Sequence, residues 1–131
     1  MTLPNEALGG RRILILEDES LVSMMIEAMV EELGCEVLGN HGSIERALEF
    51  IDQRHADIDI AVLDVNVGGA RSYDVAQALA GRGVPFIFSS GYDEGGIDTV
   101  WRNHPRLMKP FRLEELEAGL RQALAGAAEP R

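Results

Sequence analysis

Short apolar runs alternate along the chain with stretches in which apolar residues recur every three or four positions. Each short run predicts a strand, and runs without polar interruption are typical of strands buried on both faces of a parallel sheet. The predicted strands cover residues 12–16, 35–38, 58–63, 85–89 and 106–108.

Apolar residues at helical spacing predict four helices after these strands. The predicted helices cover residues 20–33, 43–51, 75–80 and 113–124. Gly34 supplies a stop signal for the first helix, and Ser43 supplies a cap for the second. Residues 93–103 give a weak signal that is compatible with either a short helix or a mobile loop.

The β-then-α rhythm predicts an α/β protein. Its expected form is a doubly wound five-stranded parallel sheet with helices on both faces and the flavodoxin-like strand order 2-1-3-4-5. We expect one domain over residues 11–125, a flexible N-terminal segment over residues 1–10 and a flexible C-terminal tail over residues 126–131.

Composition narrows the classes of function. The chain has 131 residues, of which 46% are hydrophobic and 26% are charged, as is typical of a globular domain rather than a disordered chain. Its formal net charge of −10 opposes binding to the phosphate backbone of nucleic acids. No apolar run approaches the ~20 residues that span a membrane, and the N-terminus lacks the features of a signal peptide. The single cysteine, Cys35, fits a reducing cytosol, so we expect a cytoplasmic protein.

Residues that could carry chemistry stand where the predicted strands end. Because the carboxyl ends of parallel strands share one edge of the sheet, Asp64 after the third strand should approach Glu17 and Asp18 after the first. Clustered carboxylates repel one another unless a cation lies among them, and all-oxygen ligands favour Mg²⁺. Ser90 and Lys109 end the fourth and fifth strands, where they could bind the oxygens of a phosphoryl group. The set therefore indicates phosphoryl transfer to a carboxylate, with Asp64 as the nucleophile.

Four segments at these strand ends resemble the receiver domain of two-component response regulators, and the resemblance extends over residues 11–125. The segments are Ile15-Leu16-Glu17-Asp18-Glu19, Val62-Leu63-Asp64-Val65-Asn66, Phe88-Ser89-Ser90-Gly91-Tyr92 and Lys109-Pro110-Phe111. The resemblance implies that Asp64 is the phospho-acceptor and that Ser90 is the switch hydroxyl. It also implies that Lys109 is the lysine that receiver domains have in their phosphorylation site. It also implies a cis peptide bond between Lys109 and Pro110. The implied ligands of Mg²⁺ are Glu17, Asp18, Asp64 and the backbone carbonyl of Asn66.

Residues 64–69 and 86–92 look like a subgroup of single-domain regulators that are often partnered with HWE-type sensor kinases. The resemblance thus implies a single-domain response regulator that accepts a phosphoryl group from a sensor histidine kinase or a phosphotransfer protein. Such a protein is no enzyme beyond slow self-dephosphorylation. It would signal through contact with an unknown downstream protein, or act as a phosphate sink or relay. We expect a monomer or a weak dimer, with neither nucleic acid nor membrane as a partner.

The chain departs from the pattern of the family at several points. Glu17 stands where Asp is commoner, and Ser90 stands where Thr is commoner. Arg106 occupies the position three residues before Lys109, where the family usually has an aromatic switch residue. The segment between Ser90 and Lys109 is also a few residues shorter than usual. The last two departures affect the expected output mechanism rather than the phosphorylation site.

Two other functions compete with this interpretation. A receiver-like scaffold would bind partners without phosphorylation, and Arg106 is the feature that favours it. A hydrolase of the haloacid dehalogenase type would use an aspartyl intermediate, but Asn66 stands where that class has a second Asp. Ser72 is also poorly placed for the hydroxyl residue of such a hydrolase.

Overall fold

The apolar runs of the sequence form a central parallel sheet in the computed structural model, which describes residues 8–91 and 99–128. The strands are β1 (Arg12–Leu16), β2 (Glu36–His41), β3 (Ile60–Asp64), β4 (Phe86–Ser90) and β5 (Arg106–Met108). Their order is β2-β1-β3-β4-β5, and neighbouring strands run parallel. The predicted fold class and strand order are confirmed.

Helices cover both faces of the sheet, as the sequence predicts. They are α1 (Ser20–Glu32), α2 (Ile44–Arg54), α3 (Tyr73–Gly81) and α4 (Leu113–Ala128). Because successive side chains of a strand point to opposite faces, the sheet has two apolar cores. Leu14 and Phe88 lie in the core beneath α2 and α3, whereas Ile15 and Ile87 lie in the core beneath α1 and α4. Within residues 8–91 and 99–128, no helix combines the length and the apolar character needed to cross a bilayer.

Strand β2 extends beyond the end predicted from the sequence. It begins at Glu36 and continues to His41, although Gly39 and Asn40 interrupt the apolar pattern after Leu38. The strand lies at one edge of the sheet and continues its pairing with β1 through an irregularity in register. An edge strand needs fewer apolar side chains than a central one, so the sequence signal ends before the strand does.

A short antiparallel ribbon follows β3 and has no counterpart among the predicted elements. Asn66–Val67 pairs with Ala70–Arg71, and Gly68 and Gly69 form the turn between them. Both glycines have positive φ angles, of 61° and 82°, which side-chain-bearing residues rarely adopt. The ribbon lies directly after Asp64 and therefore borders the candidate site.

The described structure begins and ends slightly outside the predicted domain, at Leu8 and Ala128. Leu8 is buried in the core of α1 and α4, and the backbone N–H of Gly10 donates to the carbonyl of Gly34 at 2.8 Å. Since α4 continues to Ala128, the described structure extends three residues beyond residue 11 and residue 125. The domain boundaries themselves stay predictions. In the segment with the weak signal, Thr99–Trp101 forms a 3₁₀ turn, and residues 92–98 lie outside the described residues.

Candidate functional site

Residues from three strand ends meet at the carboxyl edge of the sheet, where parallel α/β proteins bind their ligands. Glu17 follows β1, Asp64 ends β3 and Lys109 follows β5. The backbone N–H of Lys109 donates to the carbonyl of Ser90 at 2.8 Å, which holds the end of β5 against the end of β4. The peptide bond between Lys109 and Pro110 is cis, as the resemblance implies. The predicted convergence of these residues is therefore observed.

The ammonium group of Lys109 lies between two buried carboxylates. Its Nζ atom is 3.2 Å from Oε1 of Glu17 and 3.2 Å from Oδ2 of Asp64. It is 3.8 Å from Oε1 of the more exposed Glu19. Glu17 and Asp64 are only 3% and 2% exposed, so these charges interact with little screening by solvent.

Three carboxylates form a group that suits a divalent cation. Glu17, Asp18 and Asp64 each offer one oxygen, and these three atoms lie within 4.8 Å of one another. Lys109 supplies one positive charge to this group, so it retains net negative charge. Oxygen donors in a partly exposed cluster match the preference of Mg²⁺, which retains several water ligands when it binds to proteins. The donor set therefore fits Mg²⁺, the ion predicted from the sequence.

Backbone groups and one hydroxyl hold the carboxylates in place. The N–H of Asn66 donates to Oδ1 of Asp64 at 3.3 Å, and the N–H of Gly68 donates to Oδ2 of Asp18 at 2.9 Å. The ribbon after β3 thus contacts carboxylates from two different strand ends. The hydroxyl of the buried Ser72 donates to the main-chain carbonyl of Asp64 at 2.6 Å. Asp64 is consequently held through its main chain and through both of its carboxylate oxygens.

Each predicted site residue lies at this edge, but the observed contacts bear on only some of the predicted roles. Ser90 is buried at the end of β4, beside Lys109 through the backbone contact. Asn66 contacts Asp64 through its N–H, and the role of its carbonyl as a metal ligand stays a prediction. Sequence reasoning missed the supporting role of Ser72, although its position before α3 was a usable signal for a capping hydroxyl. Its hydroxyl contacts Asp64 instead of the helix.

Arg106 does not lie in a buried aromatic position. It pairs with Phe88 in the ladder between β4 and β5, and its side chain is exposed. Trp101 packs against Phe88 at 6.2 Å between ring centroids and stacks on Tyr73 at 6.3 Å. Among the residues that the structure describes, the aromatic cluster on this face includes Tyr73, Phe86, Phe88, Trp101 and His104. Aromatic packing is therefore present near β4, but not at the position at which the family usually has its aromatic switch.

The pKa of Lys109 reflects its two anionic partners. Burial by itself lowers the pKa of this ammonium group, but the charges of Asp64 and Glu17 and their hydrogen bonds outweigh burial. The pKa of Lys109 is therefore raised above its ordinary value. The contribution of Lys109 to stability is thus fully present below the ordinary lysine pKa and is lost as the pH rises through the raised pKa.

Comparisons with known proteins agree with the fold. No family model matches the chain. The chain is 38% identical to SdrG from Sphingomonas melonis Fr1, whose solution structure matches with a TM-score of 0.76 over 92% of this chain and 98% of that one. It is 26% identical to the receiver (REC) domain of the response regulator PhyR from Erythrobacter litoralis, with a TM-score of 0.76 over 95% of this chain and 98% of that one.

Similarity also extends to curated full-length proteins. The chain is 32% identical over 115 residues to the phyllosphere-induced regulator PhyR from Methylorubrum extorquens, a match that covers 86% of this chain and 43% of that protein. The chain spans less than two thirds of the length of the curated relatives it matches.

A first prediction tests the charge environment of Lys109. Lys109 is the only lysine of the chain, so its side-chain ¹³Cε resonance is unique in an NMR spectrum. We expect it to titrate above the ordinary lysine pKa of about 10.4. In Asp64→Asn the pKa of Lys109 should fall, because the carboxylate that raises this pKa most is removed while burial remains. Asp52→Asn, which removes an exposed carboxylate paired with Arg82, should leave the pKa unchanged. An equal pKa in wild type and Asp64→Asn would contradict the observed pairing.

A second prediction concerns the excess of negative charge in the carboxylate group. Each like-charge pair costs about 1 kcal/mol in water and more where it is buried. Asp64→Asn should therefore raise the free energy of unfolding in EDTA, because Lys109 retains Glu17 as a partner. Mg²⁺ at a hundredfold excess over its dissociation constant should stabilise the wild type by about 2.7 kcal/mol and the variant by clearly less.

The measurement consists of chemical unfolding curves with EDTA and with Mg²⁺, and Asp52→Asn is the control that should keep the full response to Mg²⁺. A variant Asp64→Asn that is less stable in EDTA and keeps the response of the wild type to Mg²⁺ would reject the metal site.

Proposed function

The chain belongs to the receiver-domain family of response regulators, and on that premise we propose that it accepts a phosphoryl group on the carboxylate of Asp64. The donor is a phosphohistidine of a sensor histidine kinase or of a phosphotransfer protein. The single observation that carries the proposal is the position of Asp64. It is a buried carboxylate between an ammonium group and two further carboxylates, at the carboxyl edge of the sheet.

The transfer step follows from the contacts of Asp64. One carboxylate oxygen forms a bond to the phosphorus, the bond between phosphorus and the imidazole nitrogen breaks, and its electron pair leaves with the imidazole. Asn66 and Lys109 hold the two oxygens of Asp64, which orients the nucleophile before the donor arrives. Lys109 then pairs with the negative phosphoryl oxygens, and the hydroxyl of Ser90 binds another of them.

The carboxylates of Glu17, Asp18 and Asp64 would hold Mg²⁺ in this reaction, with the carbonyl of Asn66 as a further ligand. When bound, the ion neutralises charge on the phosphoryl oxygens. The residues of the chain support this role because Gly68 fixes the carboxylate of Asp18 beside the buried pair. Phosphorylation is thus expected to depend on Mg²⁺.

The output involves the aromatic cluster rather than residue 106. Ser90 lies two residues after Phe88 on the same face of β4, so a shift of Ser90 towards the phosphoryl group displaces the strand on which Trp101 packs. Exposed apolar side chains lie beside this region, at Val100 and Met108. The surface formed by these residues contacts a downstream protein. If the domain has no such partner, it serves as a phosphate sink or relay.

A prediction of labelling tests the proposal. Incubation with acetyl phosphate and Mg²⁺ should add one phosphoryl group, 80 Da by mass spectrometry of the intact protein. EDTA should prevent the addition, and Asp64→Ala should add none. Asp52→Ala is the matched control and should be labelled like the wild type, because Asp52 lies on α2 and pairs with Arg82. Equal labelling of Asp64→Ala and the wild type would refute Asp64 as the acceptor.

A further prediction separates a switch from a passive scaffold. Trp101 is the only tryptophan of the chain, so fluorescence that is excited selectively at tryptophan reports on the surroundings of Trp101. Beryllofluoride with Mg²⁺ should change the emission of the wild type and should leave Asp64→Ala unchanged. Arg106→Ala should retain the change, because Arg106 is exposed. Hydrogen exchange should change mainly between Gly91 and Leu107. Unchanged emission together with uniform protection, in a protein that is labelled, would favour the scaffold.

A further inference from the structure

Ser72 lies directly before α3, but its hydroxyl does not cap that helix. The residue is 0% exposed, and its Oγ atom donates to the main-chain carbonyl of Asp64 at 2.6 Å. Within α3, all of whose residues the structure describes, the side chain of Ser72 forms no capping hydrogen bond. Since a capping hydroxyl would stabilise the helix, the orientation of this side chain favours the acceptor residue over the helix.

The carbonyl of Asp64 lies at the point where the pairing of β3 with β1 ends. That pairing stops one residue before Asp64, whereas the pairing of β3 with β4 still includes Asp64 and Ser89. The N–H of Val65 donates to the carbonyl of Ser89 at 3.0 Å. Because the two polar groups of a trans peptide unit point in opposite directions, the carbonyl of Asp64 points away from β4. Ser72 supplies a donor on that side, so both polar groups of the peptide unit between Asp64 and Val65 are held.

Ser72 also closes the loop that carries the ribbon after β3. Its N–H donates to the carbonyl of Val65 at 2.9 Å, and its own carbonyl accepts two hydrogen bonds from the first turn of α3. The N–H groups of Asn66 and Gly68, which donate to carboxylates of the site, lie within this loop. One buried serine therefore joins the base of the ribbon to β3 and to α3.

We propose that Ser72 is a positioning residue for phosphoryl transfer, because its hydroxyl fixes the main chain of Asp64 and with it the direction of the acceptor carboxylate. The inference rests on the proposed phosphorylation of Asp64 and deepens it. The rate of transfer depends on how often a carboxylate oxygen lies in line with the bond that breaks at phosphorus. Without the hydroxyl of Ser72, the peptide unit and the ribbon can take further orientations, so productive alignment becomes less frequent. Ser72 acts through the main chain and neither gives nor takes a proton in the reaction.

A purely structural role for the Ser72 hydroxyl is the alternative. Loss of a buried hydrogen bond lowers stability wherever it occurs, so a change in melting temperature alone does not distinguish positioning from structural support. A control variant with a packing defect elsewhere separates the two roles. Ile51 is buried in the second half of α2, in the core beneath α2 and α3. Ile51→Val removes one buried methylene group, which should lower the melting temperature while the contacts of Ser72 remain.

The experiment measures the rate at which acetyl phosphate labels the full chain at saturating Mg²⁺, well below the melting temperature of every variant. An oxygen of Asp64 bonds to phosphorus, the bond from phosphorus to the acetyl oxygen breaks, and its electron pair leaves with acetate. Ser72→Ala should be labelled about fivefold more slowly than the wild type, the effect of one hydrogen bond. Ser72→Thr, which keeps the hydroxyl, should be labelled at the rate of the wild type. Ile51→Val should also keep that rate although it melts at a lower temperature.

The outcomes separate this inference from the proposed function. A folded Ser72→Ala that is labelled at the rate of the wild type would overturn the inference and leave the proposed function standing. Equal slowing in Ser72→Ala and Ser72→Thr, or in Ser72→Ala and Ile51→Val, would also overturn it, because packing or stability would then set the rate. Ser72→Cys has nearly the shape of serine but is a weak donor, so it should be slowed as well and replaces Ser72→Ala if that variant does not fold. A wild type that cannot be labelled would overturn the proposed function and this inference with it.

Discussion

The contact of Lys109 with Glu17 and Asp64 is the interaction on which the rest of the site depends. It joins residues from the ends of β1, β3 and β5, and both of its distances are 3.2 Å. The ammonium group places a positive charge between two carboxylates that are almost fully buried and that lie close to Asp18. An unpaired buried charge is strongly destabilising, so the single lysine of the chain makes the acidic edge of the sheet compatible with folding. In the proposed function, a phosphoryl group would compete with both carboxylates for this ammonium group.

The fold provides a rigid frame for this charged edge. Two apolar cores fix β3 and β4 from both faces, and the polar residues begin where these cores end. Asp64 is then held by Asn66, Lys109 and the hydroxyl of Ser72. For the proposed function such a site is preorganised, since Asp64 would need little reorientation before it reacts.

In the proposed function, a signal would leave the site through the aromatic packing on β4. Arg106 is exposed on β5 and has no aromatic ring, so it cannot act as a ring that moves between a buried and an exposed position. Trp101 and His104 instead pack on Phe86 and Phe88 of β4, the strand that ends at Ser90. A displacement of β4 would therefore move the rings that Trp101 contacts. Trp101 also stacks on Tyr73, at the start of α3. The aromatic ring that contacts β4 is thus supplied by Trp101, in the 3₁₀ turn before β5, while β5 itself carries the charged Arg106.

The sequence by itself determined the α/β fold, the strand order and the residues at the carboxyl edge of the sheet. Apolar periodicity is a local property that distinguishes strand from helix, and the parallel sheet then brings Glu17, Asp64 and Lys109 to one edge. Only the tertiary structure decided which atoms pair, because Lys109 lies 92 residues from Glu17 and 45 from Asp64 along the chain. It likewise decided that Ser72 contacts Asp64 rather than capping α3, and that the hydroxyl of Ser89 has no partner in the described residues. Such contacts depend on the register and the direction of side chains in space, and these properties have no signal in the local pattern of apolar and polar residues.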